Sequence, residues 1–212
     1  MASRARPARA WHRPRALLLP VATLVAVAAL HAIAGHEGAA GTAHKAAAQA
    51  PIALQAEPGD LVFRLGRSVW SPYFGLLNSH SGFSHVGVVV EASPGRLSVI
   101  HAEADDDGRN GFVKLTPLQA FIADAVTYEI KRNQMPPPQK QGFVSATLRH
   151  WLNGTAFDDS FTLADRGERV YCSELVWVAS QAVAGPALGA VEVIAGREIV
   201  SVDSIYRSPL LR

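Results

Sequence analysis

Cys172 is the only cysteine of the 212-residue chain, and it lies in the segment R-V-Y-C-S-E-L-V-W-V-A-S, which runs from residue 169 to residue 180. A single cysteine has no partner for a disulfide within its own chain. The residue is therefore an inert buried thiol, one half of an intermolecular disulfide, or a nucleophile. A thiol nucleophile requires a base beside it and a third group that orients the base, and histidines are the first candidates for both.

Two histidines occupy the ends of a predicted β-hairpin. Its first arm is S-H-V-G-V-V-V-E-A, its turn is Pro94-Gly95, and its second arm is R-L-S-V-I-H-A-E. Side chains alternate between the two faces of a strand, and the beginning of the first arm lies opposite the end of the second. His85 and His101 are thus expected to be neighbours if they project to the same face. A histidine pair in a hairpin is not rare, and by itself it is weak evidence of catalysis.

The apolar spacing after the cysteine predicts a helix that begins near Tyr171 and ends at Gly185-Pro186. Cys172 would then lie in the first turn, where free N–H groups and the positive end of the helix dipole lower the pKa of a thiol. The same N–H groups can stabilise an oxyanion, and the Tyr171 hydroxyl is a second candidate for that role. A buried packing cysteine would instead have a raised pKa.

The other predicted elements alternate irregularly between strands and helices, which indicates an α+β domain with an antiparallel sheet. They are a strand L-V-F-R-L after the turn at Gly59-Asp60, a short helix at Val69–Leu77, a strand G-F-V-K-L, a helix with Thr116 as N-cap and Pro117 at its first position, a strand A-V-T-Y-E-I-K-R, and a helix over roughly 139–152 that ends at Asn153-Gly154. We interpret Asp60 as a turn-forming residue, with contact to a substrate amine as the alternative.

The N-terminus has the pattern of an export signal. Five arginines within the first fifteen residues precede an almost wholly apolar run from Ala16 to Ala34, which is typical of a signal peptide or, given its length, of a membrane anchor. We therefore expect residues 1–34 to be a signal or anchor, residues 35–50 to be a flexible Gly/Ala/His-rich linker, and residues 51–212 to form the folded domain. We expect this domain to be exported to the periplasm or cell envelope, either free or held at the membrane by its N-terminus. An unpaired thiol is an unusual structural residue in an oxidising compartment, so export favours the nucleophile interpretation.

Several other functions are disfavoured. Without the five N-terminal arginines the chain carries 15 basic and 18 acidic residues, so no basic patch for nucleic acid is expected. The acidic stretch Glu103–Gly108 resembles the front of a calcium loop, but Lys114 stands at the closing position where a bidentate glutamate is needed. His101-Ala102-Glu103 lacks the C-x-x-C of a zinc deaminase. We expect neither a metal nor another cofactor.

Six segments together resemble a known family. They are G-D-L-V-F, S-H-V-G-V-V-V, V-I-H-A-E, V-K-L-T-P-L, F-D-D-S-F and Y-C-S-E-L-V-W. In this order they are similar to the YaeF/YiiX-type permuted papain-like amidases of the NlpC-like superfamily of cysteine hydrolases, and the resemblance covers roughly residues 57–184. It implies a circularly permuted papain-like fold, because the histidine precedes the cysteine, with the cysteine-bearing helix packed against the antiparallel sheet.

The resemblance also implies roles for individual residues. Cys172 matches the nucleophile, His85 matches the general base, and His101 falls where relatives carry the third polar residue, often a glutamate. The implied activity is that of a thiol amidase or peptidase, which cleaves an amide in a cell-envelope peptide or lipid-linked substrate through an acyl-enzyme. The alternatives are a thiol acyltransferase or esterase acting on lipid, and a non-catalytic envelope binding domain.

Overall fold

The computed structural model describes residues 56–67, 78, 80–105 and 110–212. The predicted signal or anchor, the linker, the expected domain start at Pro51 and the predicted short helix at Val69–Leu77 lie outside the described residues. Within the described ranges, no helix is both long enough and apolar enough to cross a membrane.

Among the described residues, seven strands form one sheet, in the order β5-β1-β2-β3-β4-β6-β7. The strands are β1 Leu61–Gly66, β2 His85–Ser93, β3 Arg96–Glu103, β4 Phe112–Pro117, β5 Ala125–Lys131, β6 Ala156–Phe157 and β7 Arg169–Val170. All neighbours pair antiparallel except β6 and β7, which are parallel. A second, two-stranded sheet consists of β8 Glu192–Ile194 and β9 Arg197–Ile199.

Four helices accompany the strands in the described part of the chain: α1 Leu118–Ala123, α2 Pro137–Leu152, α3 Cys172–Gln181 and α4 Val202–Tyr206. The predicted mixture of a large, mainly antiparallel sheet with a few helices is confirmed. Several boundaries differ from the prediction. Helix α3 ends at Gln181 rather than at Gly185-Pro186, and Pro117 is the N-cap of α1 rather than its first helical residue. Thr116 is not an N-cap, because it lies in β4 and pairs with Val99. Helix α2 begins at Pro137 rather than near residue 139, because proline is tolerated in the first helical turn, where its missing N–H has no intrahelical partner.

The central strands are buried on both faces, which explains their nearly continuous apolar sequence. On one face, Val86 and Val88 of β2 pack with residues of α2, α3 and α4. On the other face, Val89 and Val99 pack with Leu118 and Phe121 of α1. Helix α3, which begins at the cysteine, therefore covers one face of the sheet, and α1 covers the other.

Candidate active site

The two histidines of the hairpin are in direct contact. Nε2 of His85 lies 2.9 Å from Nδ1 of His101, and Nε2 of His101 lies 2.9 Å from Oγ1 of Thr116. Because a hydroxyl can accept from His101 Nε2–H, the chain is satisfied when His85 Nε2–H donates to His101 and His101 Nε2–H donates to Thr116. In this arrangement Nδ1 of His85 carries the lone pair of a base. The structure thus places the predicted base and the predicted third residue in hydrogen-bond contact.

Gly87 lets the histidine pair form. A Cβ atom on Gly87 would lie 2.4 Å from Val99 Cγ1 and 3.1 Å from the Cβ of His101. The β3 side chains therefore lie directly against the backbone of β2 at this point, where any larger residue would push them away. This contact gives a physical reason for glycine two residues after the histidine in the S-H-V-G segment.

The histidine pair lies in an apolar and cationic environment. The Phe121 ring is 5.8 Å from the His85 ring and 4.9 Å from the His101 ring, measured between centroids, and the Arg64 guanidinium stacks on Phe121 at 4.2 Å. Burial, followed by the positive charge of Arg64, holds the pKa of His85 well below its usual value. Burial, then Arg64 and Lys114, lower the pKa of His101 to about 3. Both rings are therefore neutral at physiological pH.

Cys172 is the first residue of α3 and is half-buried. The backbone N–H of Val86, the residue after His85, is among the groups that favour the thiolate form of Cys172. Pairing between β2 and β3 begins at Val88 and Ile100. Burial raises the pKa of the Cys172 thiol and outweighs the hydrogen bonds from the Val86 and Ser173 N–H groups. The predicted lowering of this pKa is wrong for the free protein, because burial outweighs the hydrogen-bond donors at the helix terminus.

Residue 200 holds the start of α3 in place. The N–H of Val200 donates to the Tyr171 hydroxyl at 2.8 Å, and the hydroxyl of Ser173 donates to the Val200 carbonyl at 2.7 Å. Tyr171 is buried, and burial raises the pKa of its phenol far above the usual value. The Tyr171 hydroxyl, a predicted oxyanion donor, is thus engaged by the segment just before α4. No helix or strand was predicted for this region of the chain.

Asp60, the other predicted site-adjacent residue, lies away from the histidines. Arg64 of β1 pairs with His85, and Asp60 is four residues earlier, about 13 Å along an extended strand. Its carboxylate accepts the N–H groups of Glu57 and Asn133 at 2.9 and 3.1 Å. Asp60 is thus separated from His85 along the sheet, and its contacts join the turn before β1 to the chain after β5.

Glu103 was not predicted as a site residue. From the sequence it was considered only within the incomplete calcium-loop and zinc-deaminase patterns. One donor atom each of His85, His101 and Glu103 lie within 4.8 Å of one another. Glu103 also accepts from Arg64 at 2.7 Å and lies 3.5 Å from the Lys114 ammonium. The period-two alternation of β3 was the available signal, because it places residues 101 and 103 on the same face. No metal ligands were expected, yet these three side chains have the chemistry and spacing of a ligand set.

A cleft of about 500 Å³ lies beside the loop that precedes β7. Residues 160–164 line one side, and Arg197 and Glu198 of β9 line the other. The Phe161 ring of this loop packs against Tyr171 with a centroid distance of 5.2 Å, which connects the cleft wall to the residue before the nucleophile. The cleft therefore combines apolar and charged groups next to the start of α3.

The large, mainly antiparallel sheet with few helices, carrying a thiol and a histidine pair, is consistent with the papain-like class of hydrolases. The family model described as "Permuted papain-like amidase enzyme, YaeF/YiiX, C92 family" matches residues 55–205, and the chain belongs to this family. The resemblance inferred from the sequence motifs is confirmed. The kind of function that the family supports is that of an amidase-type hydrolase.

Two relatives from Escherichia coli are similar to this chain. The uncharacterized protein YiiX of strain K12 is 31% identical over 140 residues, which are 65% of this chain and 63% of that protein. This chain thus covers less than two thirds of that relative's length. The crystal structure of the metalloprotein yiiX from Escherichia coli O157:H7 superposes with a TM-score of 0.62 at 26% identity, covering 74% of this chain and 96% of the other.

Proposed function

We propose that the chain is a thiol-dependent amidase that cleaves an amide bond in a cell-envelope peptide or lipid-linked substrate through an acyl-enzyme on Cys172. In this proposal the fold is the circularly permuted papain-like one, with the cysteine-bearing helix after the sheet. The observation that carries the proposal is the hydrogen-bonded histidine pair, in which Nε2 of His85 lies 2.9 Å from Nδ1 of His101. This contact leaves Nδ1 of His85 available as a base, and Cys172 supplies a thiol at the first position of α3.

The reaction begins from a neutral pair. His85 Nδ1 accepts the thiol proton as the sulfur attacks the carbonyl carbon, because a preformed thiolate is disfavoured at a buried sulfur. His85 then returns the proton to the amine as the C–N bond breaks, which leaves a thioester on Cys172. Water, deprotonated by His85, hydrolyses the thioester. The backbone N–H of Cys172, at the first position of α3, is our candidate donor to the oxyanion.

The cleft beside residues 160–164 is our candidate for the acyl side of the substrate. Phe161 and Leu163 supply apolar surface, and Arg197 supplies a cation that suits a carboxylate or phosphate. Both a peptide and a lipid-linked amide have this combination of apolar and anionic groups. We place this substrate in the cell envelope because the N-terminal arginines and apolar run have the pattern of an export signal. Fractionation of cells that express the full chain tests the location, and a cytosolic domain with an intact N-terminus contradicts it.

The O157:H7 relative is described as a metalloprotein, and three residues of this chain fit a metal as well. His85, His101 and Glu103 suit a divalent cation, because they offer two neutral imidazoles and one carboxylate within 4.8 Å. A cation held there would supply Lewis acidity to a bound water or carbonyl. The proposed amidase reaction uses only the side chains and backbone of this chain.

Trapping of the covalent intermediate tests the proposed function. Purified full-length protein is incubated with a panel of peptide amides, N-acyl amides and lipid esters, and the intact mass is measured after a rapid acid quench. We expect an acyl adduct on Cys172 with amides, and its absence in Cys172→Ala and His85→Ala. Interception of the adduct by a lipid alcohol faster than by water indicates acyl transfer. Absence of an adduct with every substrate in the panel, together with a binding signal unchanged in Cys172→Ala, indicates a non-catalytic binding domain.

A further inference from the structure

We propose that His85, His101 and Glu103 bind a divalent transition-metal ion, with Zn²⁺ the best match, and that occupation of this site switches off thiol catalysis. The metal site stands on geometry alone. Only the switching rests on the proposed amidase function. The metal would thus be a reversible inhibitor. It would bind to the catalytic base, His85, and its binding would not require Cys172.

The ligand atoms are close to the geometry that zinc needs. Tetrahedral coordination, with metal–nitrogen distances of about 2.0–2.1 Å, places two imidazole nitrogens about 3.3 Å apart. His85 Nε2 and His101 Nδ1 are now 2.9 Å apart, so a ring rotation that separates them by about 0.4 Å makes room for the ion. Glu103 offers its carboxylate within 4.8 Å of both, and its side chain is 37% exposed, which provides a path for the ion from solvent.

Thr116 already orients one ligand for metal binding. Its Oγ1 lies 2.9 Å from Nε2 of His101, and acceptance of the Nε2 proton there leaves the lone pair on Nδ1, towards His85. A partner that holds the second nitrogen of a metal-binding histidine is a regular feature of zinc sites.

Carboxylates partly offset the positive charges beside the site. Arg64 and Lys114 are positive, but they are paired with three carboxylates, those of Glu103, Asp105 and Asp124. Arg64 donates to one oxygen of Glu103 at 2.7 Å. A carboxylate has about four lone-pair positions, so Glu103 can bind a metal and keep its contact with Arg64.

Metal binding and base catalysis exclude each other through the tautomer of His85. In the free protein Nε2–H donates to His101 and Nδ1 is the base. A metal on Nε2 displaces that proton, which moves to Nδ1 through solvent with no net proton release. His85 Nδ1–H can then donate but not accept, so the Cys172 thiol has no base to receive its proton.

Calorimetric titration of full-length protein with ZnCl₂ at pH 7.5 tests the site, with Co²⁺ absorption as a second readout. We expect Cys172→Ala to bind zinc with unchanged affinity, and the Co²⁺ complex of the wild type to lack a thiolate-to-cobalt charge-transfer band. We expect His101→Ala and Glu103→Gln each to weaken binding at least about tenfold, because loss of a direct ligand costs no less than loss of its supporting partner. Lys114→Met should tighten binding because it removes a positive charge. His150→Ala, which alters a histidine whose ring bonds to Thr155, is the matched control and should bind as the wild type does.

The proposed switch is tested by the rate at which Cys172 is acylated with and without zinc. Zinc should slow acylation of Cys172 by the best amide substrate in the wild type, and His101→Ala should acylate more slowly without zinc but resist inhibition by it. Loss of zinc binding in Cys172→Ala, or unchanged affinity in His101→Ala with a wild-type melting curve, overturns the metal site. Faster amide cleavage with zinc overturns the switch. Because the titration of Cys172→Ala requires no activity, failure of the amidase proposal would leave the binding result intact.

Discussion

The glycine beside the histidine pair offers a sharp test of how the site is built. In Gly87→Ala the new methyl would lie 2.4 Å from Val99 Cγ1 and 3.1 Å from His101 Cβ. Gly87 has no left-handed backbone conformation, so alanine brings no backbone strain there and the perturbation is steric. Since β2 and β3 are fixed by their ladder from Val88 and Ile100 onwards, we expect relief of the clash to come from displacement of the β3 side chains, including His101.

The structure sets the size of the effect. Overpacking of a tight core site costs about 1–3 kcal/mol, and each kcal/mol lowers the melting temperature of a domain of this size by about 2–4 °C. Displacement of His101 breaks its two hydrogen bonds, to His85 and to Thr116, which contribute about 1 kcal/mol each. If both bonds help to keep Nδ1 of His85 as the base, their loss reduces the rate of acyl-enzyme formation about 30-fold.

Gly95→Ala is the matched control. Gly95 has a φ of +73° and open space around the position of a Cβ, so alanine there costs about 1–2 kcal/mol of backbone strain without touching a histidine. Melting curves and the acylation rate with the best amide of the panel are measured for both variants. We expect similar losses of stability and a loss of rate only in Gly87→Ala. A Gly87→Ala protein that acylates within twofold of the wild type would refute the claim that this glycine positions the pair.

Three further predictions concern the site. We expect His101→Ala to lower kcat/KM less than Cys172→Ala or His85→Ala, because an orienting group contributes less than one that forms bonds or moves protons; equal losses would show a more direct role. Because burial raises the pKa of Cys172, alkylation of the folded protein by iodoacetamide should have its midpoint above the free-thiol pKa of about 8.5, and a midpoint near neutrality would contradict the neutral pair. The pKa of His101 is about 3 in the folded protein and about 6.5 in the unfolded chain. Its contribution to the free energy of unfolding is therefore complete above pH 6.5 and falls by about 1.4 kcal/mol per pH unit below that pH. In urea melts between pH 7 and 5, the free energy of unfolding should fall less steeply for His101→Gln than for the wild type.

A fourth prediction separates two roles of Tyr171. Its hydroxyl accepts the Val200 N–H, so Tyr171→Phe should cost about 1–3 kcal/mol of stability by leaving that N–H without an acceptor. Because the hydroxyl is occupied by this contact, we expect the kcat/KM of the folded variant to stay within a few-fold of the wild type. A much larger loss of kcat/KM with an unchanged melting temperature would instead support the role of Tyr171 as an oxyanion donor.

Local sequence patterns were enough to predict the elements that carry the site. The Pro94-Gly95 turn and the apolar arms predicted the hairpin, and the spacing after residue 171 predicted the helix, because both depend on short-range periodicity. The environment of the site was not predictable, since Arg64 and Phe121 reach the histidines through the pairing of distant strands and the packing of α1. The thiol pKa was mispredicted for the same reason: a helix terminus is visible in the sequence, whereas the depth of burial depends on the tertiary fold.

The arrangement of charges explains why a histidine can occupy the third position here. A carboxylate at that position would stabilise an imidazolium on His85, and with it a thiolate on Cys172. In this chain the nearby carboxylate, Glu103, is bound to Arg64, and Arg64 lowers the pKa values of both histidines. If Cys172 and His85 formed a thiolate–imidazolium pair before substrate binds, the imidazolium would therefore be buried near the Arg64 guanidinium. A neutral His101 avoids that cost, fixes the tautomer of His85 by a hydrogen bond, and leaves the proton on the sulfur until a carbonyl is in position to be attacked.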